Sequence, residues 1–493
     1  MSLEWGLGLL QFDVRHPRKG IAMSKTTRLN ATLLLFVAAG PLVGGAVPAP
    51  PDIAAEEARF LDQAARNIEL HRKSDAVIEL RTSDGHPIPG IEVRIDQQTQ
   101  DFLFGNLVFD LTDGRPVDQR ERAQWEKEFL DVFNLAVFPF YWNSYEREPG
   151  KPRWKDFEPV IAWCHANGVT VKGHPLSWGS TLPPWLDKFP ENTLDSLLAA
   201  RILTNTSGFA GQVNIWDVVN EPIHQMPFGM PQTKPYTLSQ AADAIERALR
   251  WAHTGDPNAT LLVNEYDVVS NLWLDDMKPP RITKLYQSHH PVGATLPRET
   301  FVRLLQEVDR RDVPKYDIGL QTHEPEFDWF RAQDFWDTID AVSKLGHRVH
   351  ITELIFPSNG NPITGGARTG IWTRETQAEY AERMYRLAFG HPAVESINYW
   401  GFSDRGIWRD EGGWLDKDYK PKPIYDRLKR LIKEQWMTRN LSLKTDDAGV
   451  VRFRGFYGKY RVAVRMAGGV EQPFEVHLSQ GDTGRFSLRV PKE

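Results

Sequence analysis

The chain of 493 residues contains a single cysteine, Cys164. No intrachain disulfide can form, and no cysteine-based metal site is available. In WCHANG, Cys164 falls late in a helical pattern and reads as a small buried hydrophobe rather than a catalytic thiol. Neither sign of charge dominates: 59 basic and 65 acidic residues are well mixed, for a net charge of −6. The basic footprint that nucleic acid requires is missing, and so is an acidic disordered tail. Long apolar runs are also scarce. The best candidate, ATLLLFVAAGPLVGGA (31–46), has an apolar core of only Leu33 to Ala39, whereas a spanning helix needs ~20 residues. No Gly-rich phosphate loop follows the first strand-like run, so a dinucleotide site has no support. No H-x-H or other tight ligand spacing suggests a metal.

What is present begins with a leader. Lys25 and Arg28 precede the apolar run, and Gly44 and Ala46 suit cleavage after Ala46, so residues 1–46 read as leader and signal peptide. Met23 is the candidate start, and VPAPPD opens the mature chain. A retained membrane anchor is the alternative; a bacterial lipoprotein is excluded, because no cysteine follows. The expectation is export, secreted or periplasmic, with no stable membrane insertion after signal cleavage. Export without disulfides suits a bacterium.

Residues 47–101 read as a helix (53–72) and a β-hairpin, with AVIELRT and IEVRIDQ flanking a turn that holds Asp84-Gly85 and Pro89-Gly90. From residue 102 the rhythm changes. Eight apolar runs, FLFG (102–105), LAVFPF (135–140), VTVKGH (169–174), NIWDVVN (214–220), TLLVN (260–264), DIGLQ (317–321), RVHIT (348–352) and SINYW (396–400), alternate with amphipathic helical patterns. One of these, 238–255, ends in Gly255, a plausible residue just past a helix end. Eight strand–helix units predict an α/β fold, a (β/α)8 TIM barrel over 102–436, against an open doubly wound sheet as the rival. Residues 437–493 return to alternation and read as a small C-terminal β-module. It is either a carbohydrate-binding module or a structural cap that pairs with the early hairpin.

In such a barrel the site lies at the strands' C-terminal ends. Strand three ends at Gly173-His174, strand four at Asn220-Glu221, strand five at Asn264-Glu265, strand six at Gln321 with His323 just beyond, strand seven at Thr352-Glu353, and strand eight at Trp400. Polar groups that are costly inside a core recur at one end of the barrel. Glu221 and Glu353 would face each other across its mouth, as glycoside hydrolysis requires: one carboxyl protonates the leaving oxygen, the other attacks the anomeric carbon or activates water. A metal-dependent hydrolase using the same carboxylates with His174 and His323 is the competing reading. The 17 tryptophans are many for the length and serve either as core or as platforms for sugar rings.

These motifs resemble glycoside hydrolase family 10, the endo-β-1,4-xylanase family, within the clan of retaining barrel glycosidases. WDVVNEP (216–222) resembles the acid/base motif and ITEL (351–354) the nucleophile motif. KGHPLSWGSTLPPWL (172–186), IGLQTH (318–323), YWGFSDRGIW (399–408) and LDKDYKPKPIY (415–425) resemble the strand-three, strand-six, strand-eight and barrel-closing segments. The resemblance covers about residues 70–465 and implies roles. Glu221 would be the acid/base and Glu353 the nucleophile. Asn220 would bond the sugar 2-hydroxyl, and His323 would hold Glu353 by a hydrogen bond. His174, Trp178 and Gln321 would line the subsite at the cleavage point, with Trp400 and Trp408 as apolar faces.

The departures cluster on one side. Where the family has a Glu-Asn pair and a lysine after the second strand, this chain has FPFYWNSYEREPG (138–150). Gly179 replaces a histidine, Ile355 an aspartate, and Glu265 and Asp267 alter the strand-five motif. The expected activity is retaining hydrolysis of xylan, with no cofactor, no metal, and a monomeric enzyme whose partner is the polysaccharide. Another β-glycan or glycoconjugate as substrate, and a carbohydrate-binding barrel without catalysis, are the alternatives.

Overall fold

The alternation of short apolar runs and helices becomes a closed barrel in the computed structural model, which describes residues 52–116, 118–225, 236–273, 290–466 and 469–491. The expected leader (1–46) and Met23 lie outside the described residues. After a helix at Ile53–His71 come β1 (Lys73–Thr82) and β2 (Glu92–Gln97). The barrel strands follow: β3 (Leu103–Leu107), β4 (Leu135–Pro139), β5 (Thr170–His174), β6 (Ile215–Asn220), β7 (Thr260–Glu265), β8 (Asp317–Leu320), β9 (Val349–Leu354) and β10 (Val394–Tyr399). Each pairs in parallel with the next, and β10 closes on β3. All eight expected strands are present.

Parallel strands covered on both faces should be apolar throughout. Accordingly β4, β6 and β9 are buried at every position. Helices such as Leu238–Gly255 and Arg374–Gly390 cover the outside, and both start with a capping box, from Thr237 and Thr373. Gly255 is not beyond its helix but its last residue. A Cβ there would sit 1.8 Å from Thr206 Oγ1, so glycine serves the close approach to the helix Leu194–Gly208. Cys164 is buried within Trp154–Ala166, and burial pushes its thiol up to about 12, which makes it inert at neutral pH.

Five further strands follow: β11 (Leu441–Lys444), β12 (Val450–Phe456), β13 (Gly458–Arg465), β14 (Glu471–Leu478) and β15 (Arg485–Val490). The expected early hairpin does not pair as one. β1 lies between β12 and β15, and β2 lies between β11 and β13. Both edges of each early strand are thus taken by late strands, and only an isolated bridge, Arg81 with Pro87, marks the connecting turn. The two small sheets share a core of their own, which includes Ile78, Leu80, Val93, Ile95, Val462 and Leu488. The C-terminal strands therefore pair with the early ones. Among the described residues no helix is long and apolar enough to cross a membrane.

Candidate active site

The strands end at a cavity of about 950 Å³ lined by His174, Trp178, Asn220, Glu221, His323, Glu353, Trp400 and Trp408. Gln321 lies just beneath, fully buried. The nine expected site residues therefore converge. The backbone explains how. β6 stays extended to Asn220, and Glu221 then turns left-handed at φ 59°. Thr322, after β8, does the same at φ 57°. A β-branched residue and a glutamate in this region are strained and persist only where the surroundings hold them. For Glu221 the hold includes its own amide, which donates to Asn264 O at 2.7 Å.

A continuous amide network joins the two carboxyls. Asn264 Nδ2 donates to Glu353 Oε1 at 2.8 Å and to Asn220 Oδ1 at 2.7 Å. Asn220 Nδ2 donates to Glu221 Oε1 at 3.1 Å. Gln321 Nε2 donates to Asn220 Oδ1 and to Glu221 Oε1, each at 3.2 Å. Trp178 Nε1 donates to Glu221 Oε2 at 2.7 Å. Thr352 Oγ1 fixes Asn264 from behind by donating to Oδ1 at 2.6 Å. Gly319 makes room for this residue, since a Cβ there would meet Asn264 Oδ1 at 2.2 Å.

Under Glu353 lies a buried charged group. Asp217 Oδ2 sits 2.9 Å from Lys172 Nζ and 2.7 Å from His174 Nδ1. Burial pushes the Asp217 carboxyl up, but Lys172 and His174 more than offset this and hold it below the usual range. An ionised carboxylate only accepts, so His174 donates from Nδ1 and turns Nε2 toward other partners. Burial outweighs Asp217 and holds His174 below the usual imidazole value, hence neutral at pH 7.

Glu221 and Glu353 are both almost fully buried. Burial, and then the neighbouring Glu265, push Glu221 up to about 8, although Trp178 and Gln321 donate to it. Burial, and then Glu221 and Asp217, push Glu353 up as well, against Lys172 and Asn264. Two such carboxyls do not both ionise easily, so the pair holds a proton at neutral pH. An arrangement of one acid and one carboxylate across a cleft is what this geometry can supply.

Aromatic rings form the walls. Trp400 packs edge-on to His174 (4.8 Å between centroids) and Phe109, and Trp408, 54% exposed, stands at the rim edge-on to His323. Tyr141, from the departing run after β4, packs against His174, Trp178 and Phe109. Its neighbours Phe140, Trp142 and Tyr145 are buried in the core.

The model of the glycosyl hydrolase family 10 matches residues 136–431, more than half of the chain. The chain belongs to glycosyl hydrolase family 10. It is a glycoside hydrolase by that membership. It is similar to endo-1,4-beta-xylanase B of Thermotoga neapolitana, 27% identical over 348 residues, which cover 69% of this chain and 89% of that one. It is also similar to the anti-sigma-I factor RsgI6 of Acetivibrio thermocellus, 25% identical across 90% of this chain and only 51% of that longer protein. Among solved structures, xylanase 10B from Thermotoga petrophila RKU-1 in complex with xylobiose has a TM-score of 0.51, at 22% identity over 68% of this chain and 95% of that one. This likeness is one of fold.

Within this family-10 site one expected contact differs. His323 Nε2 is 3.7 Å from Glu353 Oε2, beyond a hydrogen bond, and lies 2.6 Å from Gln321 Oε1 instead. The cause is the orientation of Gln321. Its amide nitrogen already serves two acceptors, so its oxygen must accept, and the His323 N–H is the donor there. Asn264 takes the place next to Glu353.

Asn264 stands at a strand end with nothing in the sequence to mark its role, and Lys172, Asp217 and His224 lie outside the expected site. A signal existed for the charged pair: a lysine and an aspartate inside apolar strands need partners.

Proposed function

We propose that the protein is a retaining glycoside hydrolase that cleaves internal β-1,4-xylosidic bonds of xylan by double displacement. The observation that carries this is the placement of Glu221 and Glu353, after β6 and in β9, in one cleft and joined through Asn220 and Asn264. Their roles follow the motif positions. A Glu353 carboxylate oxygen attacks the anomeric carbon while Glu221 gives its proton to the departing glycosidic oxygen. The C–O bond to the leaving chain breaks and an ester to Glu353 forms. Glu221, now ionised, takes a proton from water; the water oxygen attacks the anomeric carbon and frees Glu353.

Asn220 supports both steps. Its Oδ1 is taken by Asn264 and Gln321, and one Nδ2 hydrogen serves Glu221. The other is placed to donate to the sugar 2-hydroxyl, a contact that strengthens in the transition state. Trp400 and Trp408 offer ring faces to the sugars. The polysaccharide is the partner, met by a single, exported chain that needs no cofactor.

Product analysis on xylan, mixed-linkage glucan and aryl β-glycosides tests the reading. Short β-1,4-xylo-oligosaccharides with retained anomeric configuration are the expected products; no cleavage of any xylan would overturn the substrate. A second reading, the same chemistry on another β-glycan, is favoured by Tyr141, which stands where a polar grip on the sugar would be expected. Export is tested by the N-terminus of the mature protein, expected after Ala46.

A further inference from the structure

Behind Glu221, away from the cleft, three titratable side chains form a connected group. Glu265 ends β7 and is fully buried. Its Oε2 accepts from Ile223 N at 2.9 Å, and its Oε1 from Tyr266 N at 3.0 Å and from His224 Nδ1 at 2.8 Å. The other nitrogen of His224 lies 3.4 Å from Asp267 Oδ2. The His224 ring stacks on Tyr266, 4.0 Å between centroids, and packs against Trp273 and His290. Burial alone would discharge His224, but Glu265 and Asp267 push it up to about 10, so it stays cationic.

The group grips the turn that carries Glu221. The amides of His224 and Gln225 donate to Glu221 O, and the Ile223 amide is held by Glu265. Tyr236 closes the far side by donating its hydroxyl to Pro222 O at 3.1 Å. The left-handed Glu221 is therefore fastened on both flanks.

The charges matter as much as the bonds. Glu265 pushes the Glu221 carboxyl up and His224 pushes it down, and Glu265 is the stronger of the two. Among the described residues, the titratable groups coupled to Glu221 include Glu353 from β9, Tyr141 from the end of β4, Glu265 from β7 and His224 from its own turn. Of these, Glu265 and His224 point away from the cleft and are not positioned to touch a sugar.

We propose that Glu265, His224 and Asp267 are positioning residues for Glu221: they fix its turn, and the Glu265 carboxyl keeps a proton on it until the leaving oxygen takes it. This rests on Glu221 as the acid/base. A purely structural staple between β6 and β7 is the opposing account, and it moves stability but not protonation.

The test compares the wild-type chain with E265Q, E265D and D267N. Glu side-chain carboxyl carbons are labelled with ¹³C and titrated by NMR, with the Glu221 signal assigned through E221Q. In E265Q the Glu221 midpoint should fall by roughly one pH unit or more, since a close like charge shifts a carboxyl by about that much. The alkaline limb of kcat/KM should fall by the same amount, with KM for an aryl β-xyloside changing less than about twofold. E265D should return both toward wild type. D267N, which leaves the Glu265 contacts in place, should shift both the same way by less, and it carries the test if E265Q does not fold. A Glu221 midpoint unchanged in E265Q, or in D267N should that variant stand alone, would overturn the proposal. The titration needs no substrate. A wild-type enzyme that cleaved no β-xyloside would refute the proposed activity and leave this result to stand by itself.

Discussion

The end of β6 and the end of β4 face the same cleft and are built on opposite principles. The end of β6 carries polar groups that are bonded on all sides: Asn220, Glu221 and the turn beyond are tied to β7, to Gln321 after β8 and to the loop after β5. After β4 it is aromatic, with Phe140, Trp142 and Tyr145 turned into the core and Tyr141 left at the cleft. One end fixes proton and charge by hydrogen bonds. The other offers shape and an apolar surface. On the proposed reading, bond cleavage and substrate choice fall to different strands and can vary separately.

The largest test of this division lies on the polar side. Glu353→Ala should lower kcat by about 10⁴-fold or more, as loss of a nucleophile does in other hydrolases, without changing the fold. Unchanged hydrolysis would mean that the site is elsewhere. Next is Gly319→Ala. Its methyl would displace Asn264, which bridges Glu353 and Asn220. A shift of about 1 Å in such a group lowers kcat roughly 100-fold; an aryl β-xyloside assay reads this directly, and wild-type kcat would show that the bridge is dispensable.

A third effect concerns stability. Glu221 is held up to about 8 in the folded chain, above its value when unfolded. The folded state then binds a proton that the unfolded state has released, so stability is full below pH 4.5 and falls as pH rises toward 8. Glu221→Gln should therefore stabilise the protein at pH 8 by on the order of 2 kcal/mol and leave it unchanged at pH 4. Urea melts at the two pH values measure this; equal shifts at both would break the link to ionisation. The smallest effect belongs to the aromatic side. Tyr141→Ala should change the ratio of kcat/KM between xylan and mixed-linkage glucan by about tenfold, and change the hydrolysis of an aryl β-xyloside less. An unaltered ratio would detach substrate choice from β4.

The eight barrel strands were legible because each is a short apolar run closed by a polar residue. The positions of both glutamates, Asn220, Trp400 and Trp408 were legible for the same reason, as polar or aromatic residues at ends that the fold brings together. Asn264 was not, because its role depends on which atoms β8 and β9 set beside it after closure, and Gly319 shows this only in three dimensions. The His323 contact depended on how Gln321 is turned, which no spacing reveals. The pairing of β1 and β2 failed as an expectation because alternation marks a strand without naming its neighbour.

That pairing has a consequence for biosynthesis. β1 and β2 leave the ribosome early, but their partners are residues 441–490. Through synthesis of the whole barrel these strands carry open edges, and such edges invite association with other chains. The clasp can close fully only when residue 490 has emerged, and closing it joins segments some 400 residues apart, a slow event by the measure of loop closure.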